Sequence, residues 1–289
     1  MNGILLIDKP AGWTSMDVCA KLRSALHEKR VGHSGTLDPM ATGLLVVFLG
    51  RATRAVEFAE ADEKTYEAAL RLGIVTDTQD TTGTVLETRE VNITKEEFDA
   101  ALDGFRGEID QLPPMYSAIK IDGKPLYKTA RKGGEVERRP RKITIFELIR
   151  TSGIQDDITL TVRCSKGTYI RTLCHDIGAA LGCGGAMSAL RRTKAGAFDL
   201  ADAHTLEAAL AAAEAGRAEE LLLPVDTLFP DARPVTLTPS QERVIRNGGS
   251  FTCRRPEGRC RLYAQSGEFL ALASLEKGTM KPIKSFFEV

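Results

Sequence analysis

The sequence predicts an α+β fold with a smaller β-rich domain at its C-terminal end, and three observations predict it. Strand-like runs with alternating apolar residues, such as Ile158-Thr159-Leu160-Thr161-Val162-Arg163-Cys164, are interspersed with helices that carry recognisable caps. Prolines and turn formers cluster from Pro230 to Pro234, which sets a boundary between residues 1–230 and 231–289. Beyond it, short strand candidates at Arg261 to Ala264, Phe269 to Ser274 and Ile283 to Phe287 alternate with glycine turns. With 289 residues and 43% hydrophobic content, the chain has enough apolar surface for one large core and one small one.

From the N-terminus, Ile4 to Ile7 reads as a strand broken by the turn Asp8-Lys9-Pro10-Ala11-Gly12. A helix capped by Thr14 or Ser15 follows and runs to about Glu28. The stretch Gly32-His33-Ser34-Gly35-Thr36-Leu37-Asp38-Pro39-Met40-Ala41-Thr42-Gly43 reads as a loop. It is pinned to the core by the apolar strand Leu44-Leu45-Val46-Val47-Phe48-Leu49. Asp38 stands in that loop where a carboxylate can face a cleft and where glycines let a ligand approach the backbone; as Asp-Pro, it also suits an ordinary turn.

Further on, Ala52 to Glu60 predicts a short helix, and Lys64 to Gly73 a strand that carries Tyr66. Thr76-Asp77-Thr78-Gln79-Asp80-Thr81-Thr82-Gly83 is a polar turn whose carboxylates suit turn caps. Thr94 and Glu97 form a capping box at the start of a helix that ends near Gly104. An insertion over about residues 113–142 combines prolines, glycines, two tyrosines and many basic residues, as an RNA-facing segment does. Strands are predicted over Lys142 to Leu148 and Ile158 to Cys164. Ser165-Lys166-Gly167-Thr168-Tyr169-Ile170-Arg171-Thr172-Leu173 then turns through Gly167 into a helix, where a guanidinium such as that of Arg171 can hold an aspartate bidentately. Ser188-Ala189-Leu190-Arg191-Arg192-Thr193 is a strand, and Leu206 to Ala215 an alanine-rich helix.

Net charge is zero, but it is unevenly spread. From Arg233 to Val289 ten basic residues face five acidic ones, for +5, which leaves −5 on the rest. Between Lys120 and Lys142 nine basic residues face three acidic ones, for +6. Two separate basic zones favour a polyanionic partner such as RNA. No apolar run approaches the ~18 residues of a membrane span, and the N-terminus lacks a basic head and a cleavage site, so a cytoplasmic protein with no membrane partner is expected. The six cysteines make no C-x-x-C pair, and no zinc-site spacing joins them to the four histidines, so no metal is expected. The absence of a Walker A or dinucleotide glycine motif argues against ATP or NAD, and no cofactor is expected.

The stretch around Asp38 resembles the catalytic motif of the TruB family of pseudouridine synthases, G-H-x-G-x-L-D-P-x-A-x-G, over twelve consecutive positions. The opening Asp8-Lys9-Pro10, the turn from Thr76 to Gly83, the Ser165 to Leu173 stretch and the Leu190-Arg191-Arg192 strand resemble further motifs of that family in the same order. The resemblance implies a mixed, largely antiparallel central sheet flanked by helices, the pseudouridine synthase fold, with a PUA-like C-terminal RNA-binding domain. It implies isomerisation of uridine 55 in the T-arm of transfer RNA, with Asp38 as nucleophile or base and Arg171 as its ion-pair partner. Tyr66 would stack under the target base, Tyr169 and Leu190 would line its pocket, His33 would help hold the flipped strand, and Lys9 would approach the RNA backbone. Transfer RNA is the implied partner; no obligate protein partner is expected, and the chain should be a monomer. Two other readings use the same residues. A glycosidic hydrolase would need a second catalytic carboxylate, which no motif supplies beside Asp38. A non-enzymatic RNA-binding protein would use only the basic surfaces.

Overall fold

The computed structural model describes residues 1–59, 63–117, 120–121, 124–126, 134, 136–155 and 157–287. Much of the basic insertion, including Tyr127 and Lys128, therefore lies outside the described residues. Two compact units are present. One comprises Met1–Asp38, Leu45–Glu60 and Asp202–Val289; the other comprises Pro39–Leu44 and Ala61–Ala201.

In the first unit, the strand Gly3–Lys9 lies between the strand Thr42–Leu49 and the short strand His204–Thr205, which it pairs in parallel with Ile7 opposite His204. Leu44 to Leu49 are all buried, as an unbroken apolar run requires when both faces of a strand are covered. The helix Ser15–Ala25 is capped by Thr14, whose hydroxyl accepts from Asp17 N at 3.0 Å while the Asp17 carboxylate accepts from Thr14 N at 3.0 Å. Val18, Cys19 and Leu22 of this helix close onto Leu5, Ile7, Val47 and Leu49. Full burial of each such side chain contributes about 1.5–3 kcal/mol. The segment Gly50–Phe58 is a 3-10 helix, near the short helix expected from Ala52.

One part of the expected loop is not loop. Val31–Ser34 is a strand, antiparallel to Thr42–Leu49 with Val31 opposite Leu49 and Ser34 opposite Val46. Its own residues carry no strand pattern; the pairing groups of the fully buried neighbour impose it, which is the usual way context overrides β propensity.

The same unit contains a sheet whose strands run in the order Arg233–Thr236, Gly258–Tyr263, Phe269–Glu276, Thr279–Ser285 and Phe251–Thr252. Val235, Leu262, Leu270, Leu275 and Met280 form its core. A helix not expected from the sequence, Pro239–Arg246, packs into this core through Ile245; it begins with a Thr238–Gln241 capping box and a proline in the first turn.

In the second unit, the strand Glu63–Leu72 is central. Gly185–Ala195 pairs with it on one side and Asp157–Ser165 on the other, both antiparallel, and Arg141–Arg150 and Gly107–Gln111 extend the sheet beyond Asp157–Ser165. Thr42 and Gly43 pair in parallel with Arg191 and Arg192. Gly43 has φ +96°, and a Cβ there would lie 2.3 Å from the Arg192 carbonyl oxygen. The closing glycine of the Asp38 motif is thus needed for strand to approach strand, not for ligand to approach backbone. The helix Ile170–Ala180 covers the sheet through Gly178, where a Cβ would meet Gly185 N at 2.1 Å. Thr94 and Glu97 make the expected capping box, and Phe98 and Leu102 of the helix Lys95–Asp103 are buried. The sheets are mixed and largely antiparallel, as expected.

Candidate active site

In the first unit, Asp38 is half-buried in the irregular segment after the Val31–Ser34 strand. What fixes that segment is Ser15. Its hydroxyl, 1% exposed, accepts from Leu37 N at 2.9 Å and donates to Leu37 O at 3.2 Å, so both polar groups of the residue before Asp38 are held by one side chain. Of the two candidate caps, Thr14 caps the helix and Ser15 instead anchors the loop. His33 is half-buried on the strand, opposite Val47.

Lys9 is more enclosed than a lysine in a turn suggests. It is 0% exposed and donates from Nζ to Pro10 O at 3.0 Å and Trp13 O at 2.6 Å. A buried ammonium needs such acceptors, and here they close the turn after the first strand. The residue is buried and braces that turn.

In the second unit, four expected residues occupy one region. Arg192 is opposite Tyr66 and Leu190 opposite Ala68 on antiparallel neighbours, so Tyr66 and Leu190 share one face and are diagonal across the pair. Both are buried, at 7% and 8% exposure. Leu70, on the same face two residues beyond Ala68, points toward the Ile170–Ala180 helix: a Cβ on Gly185 would touch both Leu70 Cδ1 and Cys174 O. Tyr66 and Leu190 are therefore on the helix side of the sheet.

Tyr169 is the residue that precedes the helix, and Gln111 holds it from both sides: Tyr169 N donates to Gln111 Oε1 at 2.8 Å and Gln111 Nε2 donates to Tyr169 O at 3.0 Å. Gly167, with φ +82°, makes the turn into this helix as the sequence suggested. Arg171 is 5% exposed. Its guanidinium donates to Thr78 O at 3.0 Å and Tyr116 O at 2.9 Å, and Nη1 lies 3.6 Å from Asp80 Oδ2. Asp80 is itself fixed, since Oδ1 accepts from Thr78 Oγ1 at 2.8 Å, Thr82 N at 2.9 Å and Thr82 Oγ1 at 2.6 Å. The turn is tied in by Gln79, at φ +64°, whose Oε1 accepts from Thr172 Oγ1 at 2.7 Å. Its main chain joins the Gly185–Ala195 strand through Met187 N to Gln79 O at 3.0 Å and Thr81 N to Met187 O at 2.9 Å.

A guanidinium buried this way is oriented by two main-chain carbonyls and a fixed carboxylate, so its direction is set by several partners at once. The nearby thiols offer no nucleophile: burial pushes Cys174 up to about 12 and Cys164 up to about 11, far from thiolate at neutral pH. Sequence reasoning missed Ser15, Asp80 and Gln111 as parts of this arrangement. Asp80 was visible as a turn cap, and it does cap the turn while also facing Arg171. Gln111 had no local signal at all.

Residues 23–170 match the model for the N-terminal domain of the TruB family pseudouridylate synthases, and residues 171–230 match that for the tRNA pseudouridylate synthase B C-terminal domain. The chain belongs to the TruB family. A protein named tRNA pseudouridine synthase B from Azoarcus sp. (strain BH72) is 48% identical over 98% of this chain and 94% of its own. Its namesake from Opitutus terrae is 53% identical over 78% of this chain and 93% of its own, and that from Yersinia enterocolitica is 41% identical over 98% and 90%. Among solved structures, a Cbf5-Nop10-Gar1 complex superposes with a TM-score of 0.72 at 27% identity, covering 99% of this chain and 85% of that one. As a TruB family member, the chain is an isomerase that converts uridine to pseudouridine in transfer RNA. No helix among the described residues is long and apolar enough to cross a membrane.

Proposed function

We propose that this chain modifies uridine 55 in the T-arm of transfer RNA, with Asp38 as the catalytic carboxylate and Arg171 as its ion-pair partner. The observation that carries the assignment to Asp38 is the Ser15 clamp on Leu37, which spends a buried hydroxyl on fixing the residue beside the carboxylate. The reaction opens the C1′–N1 bond and rejoins C1′ to C5 of the same uracil; C5 releases its proton to solvent and N1 takes one up, so the product is an isomer of the substrate. Covalent attack on the sugar and proton removal from the ribose both use a carboxylate oxygen, and a bidentate guanidinium partner would fix its direction.

The reacting atoms of a stacked uridine are out of reach, so the base is extruded, at a cost of about a few kcal/mol. Tyr66, Tyr169 and Leu190 enclose it, and His33 helps hold the flipped strand. The basic segment over about residues 113–142 grips the T-arm, and residues 231–289 act as a PUA-like RNA-binding domain. Arg254, Arg255 and Arg259 are exposed on that last part, which supports the assignment. The chain works in the cytoplasm as a monomer.

The test is tritium release from C5-labelled uridine in an unmodified transfer RNA transcript, comparing the parent with Asp38→Asn at equal RNA occupancy. Release by the parent and a loss of at least ~10³-fold in the variant are expected. Undiminished release by the variant would remove Asp38 from the chemistry, and free uracil among the products would mark a hydrolase instead.

A further inference from the structure

We propose that Ser117 is a further substrate-binding residue, whose hydroxyl is held for a hydrogen bond to the nucleotide being isomerised; this rests on the reading of the site given above. Ser117 is 5% exposed, and its Oγ has no hydrogen-bond partner among the described residues. A buried hydroxyl left unanswered costs free energy comparable to a lost hydrogen bond. Such groups are rare in native proteins, and a partner that arrives with a ligand is one physical reason to keep one.

The surroundings of Ser117 make the omission selective. Pro113 O accepts from Arg138 Nη1 at 3.0 Å, Tyr116 O accepts from Arg171 Nη2 at 2.9 Å, and Ser117 N donates to Met115 O at 3.0 Å. Gln111, only 2% exposed, uses both ends of its amide on Tyr169. The chain from Gln111 to Tyr116 is thus fastened at two points to the start of the Ile170–Ala180 helix, where Tyr169 and Arg171 stand. Ser117 is the next residue, one peptide from a carbonyl that Arg171 holds.

A hydroxyl both donates and accepts, which suits the ribose hydroxyls, the uracil carbonyls and imide N–H, and the phosphate oxygens that a nucleotide presents. The hydrogen bond made on nucleotide binding offsets part of the cost of base extrusion.

The experiment is Ser117→Ala in the full chain, read by tritium release for kcat and KM and by thermal unfolding for stability. Since the hydroxyl answers nothing among the described residues, the melting temperature should stay the same or rise. Since it answers a nucleotide group during turnover, kcat/KM should fall about tenfold. A kcat/KM within about twofold of the parent would overturn the proposal, and so would a lower melting temperature, which would mean that the hydroxyl is bonded in the free chain. Asp38→Asn run alongside separates the two readings. If that variant is inactive while Ser117→Ala keeps full kcat/KM, only the role of Ser117 fails; if Asp38→Asn is fully active, the reading of the site fails first.

Discussion

Around Arg171, several buried polar groups answer one another: the guanidinium is on two carbonyls and near a carboxylate, that carboxylate is on two threonines, and Gln111 spans Tyr169. In the sheet from Arg233 to Ser285 the buried groups are apolar, with Leu262, Leu270 and Met280 all at 0% exposure, while Arg254, Arg255 and Arg259 remain in water. An apolar core is tolerant of direction and intolerant of lost volume. A polar one is the reverse, because hydrogen bonds are directional and an unanswered group is costly. Substitutions in the first region should therefore be read in turnover, and those in the second in stability.

Arg171→Lys tests the contrast most severely. An ammonium has its donors at one point and cannot serve Thr78 O, Tyr116 O and Asp80 together as the planar fork does. Hydrogen bonds to charged groups contribute about 1.5–3 kcal/mol each, so a loss of turnover of ~100-fold or more is expected in the tritium assay. Activity within about threefold of the parent would show that charge alone, without direction, is enough at this position.

Leu270→Ala applies the complementary test. Truncating a fully buried leucine costs about 2–5 kcal/mol, and the expected result is a clear drop in melting temperature with kcat for the remaining folded protein near the parent value. A variant that melts like the parent but turns over poorly would break the division between the regions.

How legible each region was in the sequence follows from the same contrast. Apolar patterning is carried by the residues themselves, so the buried run Leu44 to Leu49, the strands around Tyr66 and Ile158 and the Thr94–Glu97 cap could be read directly. Val31–Ser34 could not, because its strand character comes from its neighbour and not from Gly32, His33 or Ser34. The Pro239–Arg246 helix had its signals in Thr238, Pro239 and Gln241, but it is short and mostly polar, so periodicity gave it no support. Polar partnerships across long sequence separations, such as Gln111 with Tyr169 or Ser15 with Leu37, leave no pattern in either partner. Lys9 is the sharpest case: a lysine in a turn reads as exposed, and the convergence of Pro10 O and Trp13 O on its ammonium goes with its burial.

The smallest effect concerns a place where the C-terminal region imitates the first. Tyr263 donates to Asp226 Oδ2 at 2.5 Å, Arg261 lies 3.9 Å from the same carboxylate, and the Tyr263 ring is 5.5 Å from that of Phe269. Burial and the hydrogen bond to the carboxylate push the phenol up to about 12 from an ordinary value of 10.0. The folded chain thus holds this proton more tightly than the unfolded chain does. The resulting stabilisation is fully present below pH 10.0 and is lost as the pH rises toward about 12. Urea unfolding of the parent and of Tyr263→Phe through that window should show a stability difference that shifts against the parent as the pH climbs. A difference that stays constant would mean that the phenol titrates alike in both states, and that this pair is held by ring packing rather than by its proton, which would make the C-terminal region apolar in its energetics throughout.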